Sequence, residues 1–160
     1  MVLSILVENS AGVLSRVAGL FSRRGYNIDS LTVGVTNDPE VSRMTVAATG
    51  SEEVLIQIKK QLSKLVDVRE IRELPRGGAV LRELLLVQVK ANIEQRQAVI
   101  AIADIYRAKI VDVTEDSIMM ELTGNADKLR AFLELMEGFE IKSIARTGLT
   151  GLARGIDEEN

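Results

Sequence analysis

Asn9, Gly12, Val13 and Leu14 carry the first hint of chemistry in this chain. They lie in Val7-Glu8-Asn9-Ser10-Ala11-Gly12-Val13-Leu14, where an alternating apolar stretch stops and a polar turn follows. Beyond the turn, Val13, Leu14, Val17, Ala18, Leu20 and Phe21 recur at helical spacing. A helix opened by glycine presents N–H groups without intrahelical partners, together with the positive end of its dipole. That suits a small anion such as an amino-acid carboxylate. Two plainer roles stay open on local grounds, Gly12 as a simple helix start and Asn9 as its cap.

Other kinds of site are hard to build from this alphabet. The 160 residues include no Cys and no His, which removes thiol nucleophiles, disulfides and the commonest acid/base and metal ligand. Ser15 and Ser22 stand near arginines but have no base to activate them. The patterns G-x-x-x-x-G-K-[ST] and G-x-G-x-x-G are both missing. A net charge of −3 supplies no basic field for a nucleic acid. With 46% apolar and 27% charged residues the composition is that of a folded globular protein. Met1 to Val7 has no basic flank and meets Glu8 at once, so neither a signal peptide nor a membrane span is expected there, and the cytoplasm is the default location.

The elements that must position the turn follow in order. Leu3, Ile5 and Val7 alternate as a strand; the first helix stops near Gly25; Ile28 to Val35 is a second strand and Met44, Val46 and Ala48 mark a third. Ser51 reads as the cap of a second helix whose buried stripe is Val54, Leu55, Ile58 and Leu62, and Val66 to Leu74 closes the unit. Leu74-Pro75-Arg76-Gly77-Gly78 then breaks the chain. Past the break the order returns: a strand over Leu84 to Ala91, a helix through Val99 and Tyr106, and paired strands over Ile110 to Thr114 and Ile118 to Thr123. A helix through Phe132 and a poorly alternating strand over Ile141 to Thr147 complete it. The expectation is an α+β protein of two ferredoxin-like βαββαβ domains, 1–75 and 83–148, joined by a linker at 76–82. A flexible tail at 149–160, Gly-rich and ending Asp157-Glu158-Glu159-Asn160, is expected to fray. Each sheet should carry its helices on one face and leave the other uncovered. Units this small, with exposed β edges, favour pairing with a second copy.

Glu8-Asn9-Ser10-Ala11-Gly12-Val13-Leu14, with Arg24-Gly25-Tyr26-Asn27-Ile28 after it, resembles the ACT domain, a regulatory module that binds small molecules. The longer run from Leu14 to Val33, with Ser42-Arg43-Met44-Thr45, Gln61 to Val68 and the terminal Gly148-Leu149-Thr150-Gly151-Leu152-Ala153-Arg154-Gly155, resembles the small regulatory subunits of acetolactate synthase, also called acetohydroxyacid synthase. The resemblance implies a chain that is not an enzyme by itself. Such a chain activates a catalytic large subunit of branched-chain amino acid biosynthesis and confers feedback inhibition by valine. Thiamine diphosphate, Mg²⁺ and FAD would belong to that partner, with no cofactor here. The resemblance also implies a homodimer in which two ACT domains form one eight-stranded sheet with the effector between them. The matching positions are Asn9, Gly12, Val13 and Leu14 from one chain and Asn27 and Ile28 from its mate.

The chemistry of those residues agrees. Backbone N–H groups from Gly12 to Leu14 can hold a carboxylate, amide or backbone oxygens at Asn9 and Asn27 can accept from an ammonium, and Val13 and Ile28 are candidates for an apolar slot. Asn27 also fits a plainer role, a left-handed residue after the helix C-terminus. Arg23-Arg24 reads as a solvated helix end. Another ACT-type amino-acid sensor is the nearest alternative. An RNA-binding βαββαβ module needs stacking aromatics on its central strands, and Arg43-Met44-Thr45-Val46-Ala47-Ala48 has none.

Overall fold

The computed structural model describes residues 1–155, in two units. Unit 1 holds Met1–Val80 together with residues 149–155, and unit 2 is Leu81–Gly148.

Unit 1 runs β1 (Val2–Glu8), α1 (Val13–Arg23), β2 (Ile28–Val35), β3 (Val41–Ala48), α2 (Glu52–Ser63), β4 (Val68–Glu73). The strands make an antiparallel sheet in the order β2-β3-β1-β4. Period-two alternation puts Leu3, Ile5, Met44 and Val46 on one face, where they meet Val17, Leu20 and Phe21 of α1 and Ile58 and Leu62 of α2. Ser51 caps α2 as its sequence predicts, its side chain accepting from Val54 N–H, with Glu52 and Glu53 at the positive end of the dipole. Val66 is 92% exposed and β4 starts only at Val68, two residues later than its apolar run suggested.

The order then repeats, with β5 starting in the last two residues of unit 1 and continuing into unit 2: β5 (Ala79–Lys90), α3 (Arg96–Tyr106), β6 (Lys109–Val113), β7 (Ser117–Gly124), α4 (Ala126–Met136), β8 (Glu140–Arg146). Its sheet runs β6-β7-β5-β8. Leu85, Val87, Val89, Ile118, Met120 and Leu122 pack on Val99, Leu129 and Phe132, with Phe132 set edge-on to Tyr106 at 5.5 Å. The poor alternation of Ile141 to Thr147 has a physical reason: β8 is an edge strand that leaves most of its length exposed. Glu83, 6% exposed at its side chain, is held at two points by Arg146, at 2.6 and 3.0 Å.

Three expectations need correction. The linker at 76–82 is only partly a connection, because β5 already begins at Ala79. The tail at 149–160 contains a strand, β9 (Thr150–Ala153), which pairs with β5, and Arg154 N–H donates to the Gly78 carbonyl at 2.9 Å. The Gly-rich composition suggested fraying, but the segment finds backbone partners within unit 1. Ser30 Oγ accepts from Leu149 N–H at 3.3 Å, and Thr32 Oγ1 donates to the Leu149 carbonyl at 2.9 Å. Ser30 and Thr32 point to the face of the unit 1 sheet opposite its helices, so that face is not left uncovered. Ser4, Thr45 and Ala47, on the same face, are 3%, 1% and 8% exposed. The acidic end at 157–160 lies outside the described residues. No helix among the described residues is long and apolar enough to cross a membrane.

Candidate functional site

The turn after β1 is built by a backbone geometry that needs glycine. Gly12 is the N-cap of α1 at φ 84° and ψ −7°, a left-handed conformation that costs a residue with a Cβ about 1–2 kcal/mol. No side chain caps this helix end. The first intrahelical bond is Arg16 N–H to the Gly12 carbonyl at 3.0 Å, so the N–H groups of Val13, Leu14 and Ser15 precede the ladder. Val13 N–H makes only a long 3.5 Å contact to the Ser10 carbonyl. The turn therefore offers donors and the positive end of an 11-residue dipole.

Asn9 does not cap the helix. Its Nδ2 donates to the Pro39 carbonyl at 2.8 Å while its N–H donates to the Glu40 carbonyl at 2.7 Å, which ties the turn to the β2–β3 connection. Val13 does not line a slot either. At 3% exposure its side chain belongs to the core, because the first inward position of the helix must face the sheet. The apolar group presented at the turn is Leu14, 48% exposed.

Asn27 and Ile28 lie at the other end of α1. The helix is about 16 Å long at its 11 residues, so one copy does not bring them to Gly12. Asn27 is not the left-handed residue; Gly25, φ 67°, takes that part. Asn27 Nδ2 donates to Asp29 Oδ1 at 2.8 Å, and Asp29 Oδ2 accepts from Thr49 Oγ1 at 2.5 Å. Ile28 opens β2 opposite Ala48 and packs partly against the core.

Arg16 is the residue that sequence reasoning missed. Its Nη1 lies 2.9 Å from where a Cβ on Gly12 would sit, and its Nε donates to Asp67 Oδ2 at 2.5 Å. The hydrogen bond to Asp67 raises the guanidinium pKa further above its ordinary value. A cation thus stands beside the glycine turn, four residues into the helix. The i, i+4 spacing was legible, since such residues share a helix face, whereas the pairing with Asp67 crosses 51 residues of sequence. Among the described residues no group of three or more His, Cys, Asp or Glu side chains is placed to hold a metal ion.

Comparison with known proteins covers both units. A family model described as an AHAS small subunit-like ACT domain matches residues 3–70, and one described as the small subunit of acetolactate synthase matches residues 82–155. The chain is 50% identical over 155 residues to the acetolactate synthase isozyme 3 small subunit of Salmonella typhimurium, covering 96% of this chain and 95% of that one. It is 49% identical over 155 residues to a probable acetolactate synthase small subunit of Methanothermobacter thermautotrophicus, covering 96% and 92%. Its fold matches the crystal structure of the acetolactate synthase small subunit from Thermotoga maritima with a TM-score of 0.90 at 36% identity, over 98% of each chain.

Proposed function

The chain belongs to the acetolactate synthase small-subunit family, with an ACT domain as its first unit, and from that premise we propose that it binds valine between two copies of itself. Through that site it would inhibit the catalytic subunit that it otherwise activates. The observation that carries this reading is the glycine-opened turn. It combines a left-handed Gly12, first-turn N–H donors, Arg16 beside them and an exposed Leu14. A carboxylate meets donors and positive charge there. The ammonium acceptors and the rest of the apolar wall come from Asn27, Asp29 and Ile28 of the second copy, because one copy holds these about a helix length away.

The edge strands support the second copy. β2 ends the unit 1 sheet and leaves Val33 47% and Val35 62% exposed, while β6 ends the unit 2 sheet with Ile110, Val111 and Val113 exposed. Unpaired edges of this kind invite pairing with another chain. Two β2 strands side by side give a continuous eight-stranded sheet. In this reading the chain holds no cofactor of its own, and thiamine diphosphate, Mg²⁺ and FAD belong to the catalytic subunit.

Magnitudes set the scale of binding. A helix end contributes about 0.3–2 kcal/mol and a buried valine side chain about 1.5–3 kcal/mol; together they stop at about 5 kcal/mol, submillimolar at best, so tighter binding has to come from charge-assisted hydrogen bonds to the carboxylate and ammonium. Leucine and isoleucine differ from valine by one methylene, worth about 1–3 kcal/mol, so they bind more weakly without being excluded. Inhibition follows because a ligand gripped by both copies favours one relative placement of the two ACT domains.

The test is an activity titration of the complex with its catalytic subunit. Gly12→Asp adds a carboxylate and a Cβ where the ligand carboxylate approaches, and should abolish valine sensitivity while activation persists. A complex of this variant that stayed fully valine-sensitive would remove the site.

A further inference from the structure

We propose that the hollow between the C-terminal ends of α1 and α2 is an anion site for a phosphate group on a small soluble molecule, separate from the Gly12 turn. The hollow, about 440 Å³, is lined by Leu20, Arg23, Arg24, Gln61, Lys64 and Leu65. Arg23 is the last residue of α1, Arg24 is its C-cap and Lys64 is the C-cap of α2, so the packing of two helices on one sheet face brings three cations to one place. Among the described residues no acidic residue lines the hollow, and none of the three cations forms an ion pair.

Charge counting leaves an excess that an anion can match, although all three cations are exposed. Basic residues at helix C-termini offset the negative dipole end, which amounts to about half an elementary charge per helix. Two helix ends thus account for about one negative charge, and three cations exceed that by about two. In a chain whose net charge is −3, this local excess runs against the whole. A phosphate monoester carries about −1.5 to −2 at pH 7, which matches the excess. Two guanidinium forks can each grip two phosphate oxygens, the lysine adds a point charge, and the Gln61 amide adds a further donor. Leu20 and Leu65 form an apolar floor on which the body of an ester can lie.

The site needs neither the second copy nor Gly12, so it stands or falls apart from the valine reading. Inorganic pyrophosphate, titrated calorimetrically into the full chain at constant ionic strength, is expected to bind saturably at one site per chain. Arg24→Gln with Lys64→Gln should weaken it tenfold or more, whereas Gly12→Asp should leave it unchanged. Circular dichroism of the double variant checks that these exposed changes leave the fold intact. A non-saturating response in the parent chain, or equal binding by the folded double variant, would overturn the proposal. So would loss of catalytic-subunit binding in the double variant without any pyrophosphate isotherm in the parent, because the cations would then serve a protein interface.

Discussion

Glu8 and Arg69 show how a single pair in unit 1 ties its stability to pH. Arg69 Nε and Nη2 donate to the two Glu8 carboxylate oxygens at 2.6 and 2.9 Å, and these hydrogen bonds hold the Glu8 carboxyl below its usual value of 4.5. Between the lowered native value and the unfolded one, the unfolded chain binds more protons, so this contribution is complete above the unfolded value and is lost as pH falls through the native one. The pair is exposed and its worth near neutrality is small. Glu8→Gln should therefore flatten the acid limb of a plot of melting temperature against pH and change the neutral plateau little. Melts of both proteins across the acid range check this.

At the scale of elements, two contacts far apart in sequence can be tested by breaking them. Glu83 on β5 and Arg146 at the end of β8 make a bidentate pair with a buried carboxylate. Arg146→Leu leaves that charge without its partner and should cost about 3–5 kcal/mol in chemical denaturation, with much of the loss recovered when Glu83 is also changed to Leu. In unit 1, Thr32 on β2 holds the returning chain at Leu149. Thr32→Val removes that donor and should lower stability by about 0.5–1.5 kcal/mol in a urea titration. No change in stability for this variant would mean that the Leu149 segment is not held through Thr32.

For the whole molecule, the prediction concerns association. Val35 is 62% exposed on the edge strand β2, so Val35→Lys should scarcely alter the stability of a separate chain, as is usual for surface positions. If β2 pairs with β2 of a second copy, the same substitution sets two lysines close to the new seam and should weaken the dimer tenfold or more in sedimentation equilibrium. On the proposed reading, in which the effector site takes residues from both copies, valine sensitivity of the holoenzyme should weaken with it.

The strand and helix order of both units was legible because each element carries its own period: Leu3, Ile5 and Val7 alternate, while Val13, Val17, Leu20 and Phe21 return at helical spacing. Ser51 and the glycine-opened turn at Gly12 were legible for the same reason, since capping and left-handed geometry are local. Tertiary structure alone decided the rest. It drew Arg16 to Asp67 and Asn9 to Pro39, and gave the Gly-rich stretch after Gly148 a strand, β9, paired with β5. Those outcomes rest on partners 30 to more than 100 residues away in sequence. A short polar segment folds or frays according to whether such partners offer it hydrogen bonds, and no local pattern records that.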